Sequence, residues 1–226
     1  MATRICCLRI CGKEWRDVGV LVFRNGKVGN NTRRLLDVQE FRAFSLVDKY
    51  APLIFINSRD SQNGQVFSLI HEFIHLLLGE AGATLPGRDE SICNQTAVAL
   101  LMPDDLVLGI IPGTEIRKED IYNAASSFNV SPLALAIFLY SRHRVSDSMV
   151  ELIKDEMNKN LELKAKQKSK GGADFYLTFE SNTSLPFRLA VANQLREGKE
   201  TYTAATQLLG LSKSETMMKI IERATL

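Results

Sequence analysis

Apolar residues follow two different spacings along the chain and so divide it into a strand-forming start and a longer helical region. Val18 to Phe23 and Leu53 to Asn57 are rich in β-branched and aromatic residues and lie beside turn residues, which predicts two short strands. Asn25-Gly26, directly after the first run, predicts a hairpin turn. Residues 37–50 mix apolar and charged positions and predict part helix and part strand. The N-terminal quarter is therefore expected to form a small sheet.

Helical spacing of apolar residues begins at residue 66 and recurs in four segments. The predicted helices are Val66 to Leu78, Asp89 to about Met102, Lys118 to Phe128 and Leu133 to His143. Gly79 is expected to end the first helix, and Pro103 the second. Ser131-Pro132 is a typical start for the fourth helix, because serine caps the first amides and proline fits the first turn.

The remaining segments suggest how the chain is divided. Residues 151–170 carry six lysines and four acids, which favours a solvated helix or linker over a nucleic-acid patch. Gly171-Gly172 marks a boundary, and two or three short helices are expected after it. We predict a poorly ordered or extended start (1–17), a main domain (18–150), a charged helix or linker (151–172) and a helical C-terminal module (173–226). The fold class is α+β, mostly helical, with the small sheet at the N-terminus.

Composition excludes several classes of protein. The 226 residues are 45% hydrophobic and carry a formal net charge of +2. This much apolar content can fill a core, which excludes disorder for most of the chain. No apolar run reaches the roughly 18 residues needed to span a bilayer. The balanced charge argues against direct nucleic-acid binding. A weak pattern from Ala205 to Gly210 is similar to a helix-turn-helix, but it is one residue too long.

The four cysteines suggest a reducing compartment. Cys6, Cys7, Cys11 and Cys93 show no paired CxxC spacing, so free thiols are the simplest interpretation. The first residues are too weakly apolar for a signal peptide, which predicts a cytoplasmic protein. The part that Cys6, Cys7 and Cys11 play stays open.

Two of the three histidines form the motif His71-Glu72-Phe73-Ile74-His75, which is HExxH, within the first predicted helix. A spacing of four places both imidazoles on one helix face, where they can bind one Zn²⁺ while Glu72 serves as the general base. The alternative is an amphipathic helix with two unrelated histidines. The strongly apolar segment argues against it, because buried histidines without partners are costly. Zinc, one ion per chain, is the expected cofactor.

A catalytic zinc needs a third protein ligand and one open position. Glu90, fifteen residues after His75, is the preferred candidate, since two antiparallel helices would return it to the metal. Asn94 lies one turn further on the same face and is expected to support a liganding histidine by hydrogen bonding. Asp89 is the competing acid, with helix capping as its other role. Cys93 is a less favoured fourth ligand.

These motifs resemble those of the ImmA/IrrE family of metallopeptidases. The matching stretches are Val28 to Thr32, Leu36 to Arg42, Ala51 to Asn57, the HExxH helix, and Glu90 to Pro103. In the last stretch Glu90, Asn94 and Leu100-Leu101-Met102-Pro103 fit the family pattern. Cys93 replaces the usual alanine and Thr96 a usual aromatic residue. The resemblance implies a zincin-like peptidase domain at 18–150.

The resemblance also implies a function. Family members are zinc endopeptidases of bacteria and phages, and they often cut helix-turn-helix repressors of mobile elements or stress systems. Many carry their own helix-turn-helix domain at the N-terminus, for which this sequence leaves no room before Val18. The substrate is therefore expected to be a separate repressor. Tyr140, Arg142, His143 and Arg144 are chemically able to stabilise an oxyanion, and the sequence does not choose among them. The alternative function is a non-catalytic zinc protein that recognises a repressor or toxin.

Overall fold

The computed structural model describes residues 17–29, 33–79, 88–111, 113, 115–165 and 174–225, with the backbone alone at residues 88, 89 and 161–165. The predicted start at 1–17, with Cys6, Cys7 and Cys11, lies outside these residues except for Asp17. The chain forms two compact units. One contains residues 62–74 together with the described part of 88–165, and the other contains the described parts of 17–61 and 75–79 and residues 174–225. The predicted domain boundaries stay predictions.

The second unit contains the predicted small sheet, which has three strands. They are β1 (Leu21–Asn25), β2 (Ala43–Leu46) and β3 (Leu53–Asn57), in the order β1-β3-β2. β1 runs parallel to β3, and β2 runs antiparallel to it. Of residues 37–50, only the strand part of the mixed prediction is found, because the described backbone there contains β2 and no helix.

The hairpin predicted at Asn25-Gly26 is wrong. Asn25 is the last residue of β1, whose partner is the parallel strand β3 and not the next strand along the chain. After β1, Lys27 forms an isolated antiparallel bridge with Leu35. Gly26 lies close to the end of β3, because a Cβ at this position would be 2.7 Å from Ser58 Oγ and 2.9 Å from Arg59 Cγ, and both side chains would have to shift.

The two faces of the sheet differ in what covers them. Val22, Ile54 and Ile56 on one face are fully buried. Phe23, Phe55 and Phe44 form a cross-strand row, since Phe55 is in register with both neighbours. Phe187 packs edge-on against Phe23, with 5.4 Å between ring centroids. C-terminal helices therefore pack on the sheet within this unit.

Ten helices follow the sheet in the described residues. They are α1 (Gln62–Leu78), α2 (Arg88–Leu101), α3 (Asp104–Ile110), α4 (Lys118–Phe128), α5 (Pro132–Ser141), α6 (Asp147–Ala165), α7 (Phe175–Asn182), α8 (Leu185–Arg196), α9 (Tyr202–Leu208) and α10 (Ser214–Thr225). The α+β prediction is confirmed. All four predicted helices are present, and residues 174–225 form four helices where two or three were expected.

The helix α3 was not predicted from the sequence. Pro103 was interpreted only as the end of the second helix, but it also precedes a new one and accepts hydrogen bonds from the amides of Leu106 and Val107. Proline has no amide to leave unpaired at such a junction. Asp104 and Asp105 then place negative charge at the start of α3, where the helix dipole favours it.

The corner between α4 and α5 holds the start of α1. Asn129 ends α4 in the left-handed conformation, with φ of 52°. Ser131 caps α5 as predicted, because its hydroxyl accepts a hydrogen bond from the Ala134 amide at 3.1 Å. Between them, the Val130 carbonyl accepts a 2.9 Å hydrogen bond from the Asn63 side chain of α1. The helix that carries HExxH is thereby anchored two turns before its first histidine.

A polar cluster joins α4 to α6 in the same unit. Glu156 accepts hydrogen bonds from Lys118 Nζ at 2.7 Å and from the Tyr122 hydroxyl at 3.3 Å. The hydrogen bond from Lys118 lowers the pKa of the Glu156 carboxyl below its usual value. The same contact raises the pKa of Lys118, and partial burial with the nearby carboxylate raises that of Tyr122.

In the described residues, no single helix has both the length and the apolar character to cross a membrane. Taken together, α4 and α5 have the length and apolar character of a membrane span, but the two helices are bent by 109° at their junction.

We expect Glu156→Gln to lower the melting temperature at neutral pH. A carboxyl whose folded pKa is depressed stabilises the fold above its unfolded pKa, and this stabilisation disappears as the pH falls through the folded pKa. Thermal unfolding between pH 7 and pH 3 should therefore show the variant and the wild type converging in acid. Glu151→Gln is the matched control, since Glu151 makes only an exposed pair with Lys154 on the same helix. A difference independent of pH would contradict this role for Glu156.

Candidate metal centre

The centre is built on α1, which the spacing of apolar residues makes helical. Leu69, Ile70 and Ile74 are buried, so this side of the helix is held by packing. His71 and His75 are one turn apart and therefore share a face. His75 is 7% exposed, and the side chain of His71 is 13% exposed. Both imidazoles are largely withdrawn from water.

Glu90, in the first turn of α2, approaches the first histidine. Its Oε2 lies 3.2 Å from His71 Nε2, and its side chain is 56% exposed. One ligand atom from each of His71, His75 and Glu90 lies within 4.8 Å of the other two. Among the described residues this is the one group of three histidine, cysteine or acidic side chains so close together. The acid preferred from the sequence is therefore the acid that the structure places beside the histidines.

The arrangement fits a zinc ion in both distance and chemistry. Zinc binds histidine nitrogen and carboxylate oxygen at about 2.0–2.2 Å, so two ligands of one tetrahedral ion lie about 3.4 Å apart. The 3.2 Å between His71 and Glu90 is close to that value. Two nitrogens and one oxygen are the ligand set of many catalytic zinc sites, which leave the fourth position to water or substrate. Without a metal, the same pair can form an ion pair when His71 is protonated.

The other predicted site residues have less defined positions. Glu72 is partly buried next to His71. Asn94 is exposed on α2, so its predicted support of a histidine stays a prediction. Cys93 is fully buried and is not in the group of three ligands. The side chain of Asp89 lies outside the described ones.

Two of the four residues considered for oxyanion stabilisation are engaged elsewhere. Arg142 pairs with Asp104 at 3.0 Å. Arg144 donates hydrogen bonds to the carbonyls of Gly113 and Ile111, at 2.6 and 3.2 Å. His143 is exposed beyond the end of α5, with φ of 56°, so it is not the helical residue that was predicted. Tyr140 is also exposed, and the oxyanion donor stays unassigned.

One residue near the centre was missed in the sequence. Phe67 lies one turn before His71 on α1, and its ring centroid is 6.2 Å from that of the imidazole. In the sequence, Phe67 was recognised only as one of the apolar positions of the helix. The signal that could have identified it is the four-residue spacing itself, which extends the face of His75 and His71 back to Phe67.

An HExxH helix with a carboxylate from the following helix is an arrangement that metallopeptidases use to bind their metal. Comparison with protein-family models gives the particular family. The model Peptidase_M78, described as the IrrE N-terminal-like domain, matches residues 16–140, which is more than half of the chain. The chain belongs to this family, and the resemblance found in the sequence is confirmed. A search of curated proteins finds no match. Family membership supports a metallopeptidase-like function in general.

We expect Glu90→Ala to weaken zinc binding by more than about 100-fold, because it removes the proposed third ligand. Loss of a residue that only orients a ligand costs up to about that much. Asp89→Ala, at the neighbouring acid, is the matched control and should leave the affinity within a few-fold of wild type. Competition for zinc against a chromophoric chelator measures both. Equal losses in the two variants would overturn the assignment of Glu90.

Proposed function

We propose that this protein is a zinc-dependent endopeptidase. The observation that carries the proposal is that ligand atoms of His71, His75 and Glu90 lie within 4.8 Å of one another. Glu72 is on the same helix as the two histidines. A purely structural zinc site has no need of Glu72, and it usually has four protein ligands. Three proposed ligands, His71, His75 and Glu90, would leave one position open for the reacting groups.

The chemistry is divided between the metal and the chain. When bound, zinc supplies Lewis acidity, which makes water a nucleophile near neutral pH and polarises a peptide carbonyl. His71, His75 and Glu90 would hold the ion. Glu72 accepts the proton of the attacking water and donates it to the leaving amine. Because the imidazoles of His71 and His75 are little exposed, few water molecules can reach their ring nitrogens and compete with the metal.

The proposed substrate is a cytoplasmic regulatory protein, and a separate helix-turn-helix repressor of a phage, mobile element or bacterial stress system is the preferred kind. This part of the proposal rests on the resemblance to the ImmA/IrrE family, whose members often cut such repressors. A cytoplasmic location follows from such a substrate.

Direct nucleic-acid binding by the C-terminal helices is not part of the proposal. Basic and acidic residues are equal in number along residues 174–225. On and beside α10, Lys219 pairs with Glu215 and Arg223 with Glu180. A helix with its cations paired in this way lacks the basic face that phosphate binding requires.

We expect Glu72→Gln to lower the rate of peptide-bond cleavage by about 100-fold or more, since a positioned general base contributes about 10²–10⁴-fold. The variant should bind zinc as the wild type does, because the substitution leaves the three ligands in place. Two substrates are suitable: a peptide library prepared from a bacterial proteome, and a repressor encoded beside this protein. Mass spectrometry of new N-termini detects cleavage in either.

Elemental analysis of both proteins is the control for this measurement. Cleavage that survives in the zinc-loaded Glu72→Gln protein would contradict the proposed mechanism. Binding of the repressor with no cleavage by either protein would instead favour the alternative function, a non-catalytic zinc protein that recognises its partner.

A further inference from the structure

Phe67 makes a ring contact to a side chain of the metal centre. The centroids of Phe67 and His71 are 6.2 Å apart, and their planes are inclined by 31°. Side chains on a helix lean towards its N-terminus, so the imidazole of His71 extends over the turn that carries Phe67. The contact is therefore a direct consequence of the four-residue spacing and needs no other element to form it.

The contact involves His71, whose imidazole must keep one orientation to bind a metal together with Glu90. His71 presents Nε2 to Glu90 at 3.2 Å, and rotation of its ring would carry this atom away from the carboxylate. A ring packed beside the imidazole removes part of that freedom before any metal arrives. Ordering a side chain on binding costs free energy, so a side chain that is already ordered binds more tightly.

Phe67 also differs from the core residues of α1. Leu69, Ile70 and Ile74 are buried, whereas Phe67 remains partly exposed. Its large apolar surface is instead placed at the edge of the core, next to a polar ligand.

We infer that Phe67 is a positioning residue that holds the His71 imidazole in its metal-binding orientation. The inference rests on the proposed metal centre and adds a residue to it that neither ligates nor reacts. The contribution of an aromatic pair to stability converts to at most about two- to tenfold in affinity, because only its part in ordering the imidazole before binding affects the metal. This sets the size of the expected effect.

The test compares three variants of the full chain. Phe67→Leu keeps an apolar side chain and removes the ring, and Phe67→Tyr keeps the ring. Phe73→Leu is the matched control, because two residues along a helix are turned by about 200°, so Phe73 faces away from both His71 and His75. Zinc affinity is measured by competition with a chromophoric chelator. The absorption spectrum of added Co²⁺ reports the coordination geometry, and circular dichroism checks that each variant is folded.

We expect Phe67→Leu to bind zinc about two- to tenfold more weakly than wild type. Phe67→Tyr should restore the affinity, and Phe73→Leu should not change it even if both leucine variants melt at lower temperature. An unchanged affinity in Phe67→Leu would overturn the positioning role and leave the metal centre intact. Equal losses in Phe67→Leu and Phe73→Leu would overturn it as well, since the effect would then be one of general stability. Failure of the wild type to bind either metal would overturn the metal centre together with this inference.

Discussion

The candidate metal centre requires ligand atoms of His71, His75 and Glu90 to lie within 4.8 Å of one another at the edge of an apolar core. The packing of the neighbouring helices meets this requirement. Two of the three residues need no long-range contact, because a four-residue spacing places His71 and His75 on one face of α1. The third, Glu90, comes from another helix. Its position therefore depends on the packing that fixes α1 and α2.

Packing fixes α1 near its N-terminus and along its length. The Asn63 side chain is tied to the Val130 carbonyl at the corner of α4 and α5, and this corner is itself held by the cap at Ser131. The cluster of Glu156 with Lys118 and Tyr122 joins α4 to α6. Contacts far from the histidines in sequence thus support the helix that presents them.

Withdrawal of imidazoles from water has an electrostatic cost that a metal can offset. A largely buried ring nitrogen loses its hydration and needs a partner. The carboxylate of Glu90 is one partner for His71, and a divalent cation would serve all three ligands at once. Phe67 contributes no charge, and its part in the centre is mechanical, since its ring restricts rotation of the imidazole. Residues 67–75 of one helix can therefore provide the support, the base and two of the three proposed ligands.

Local patterns in the sequence determined four helices, which are α1 with its HExxH motif, α2, α4 and α5, and they also determined the cap at Ser131. Helical spacing and capping depend on neighbouring residues, so both can be predicted from the sequence. Tertiary structure decided what those patterns could not. It paired β1 with β3 in parallel in place of a hairpin at Asn25-Gly26. The helix α3 is a different case, because the acids that follow Pro103 are a local signal that was overlooked. Glu90 was preferred from its distance along the chain, but only the packing of two helices brings it to 3.2 Å from His71. The contact of Phe67 with His71 was readable in the spacing, yet its value for the centre depends on where Glu90 lies, and that is a property of the fold.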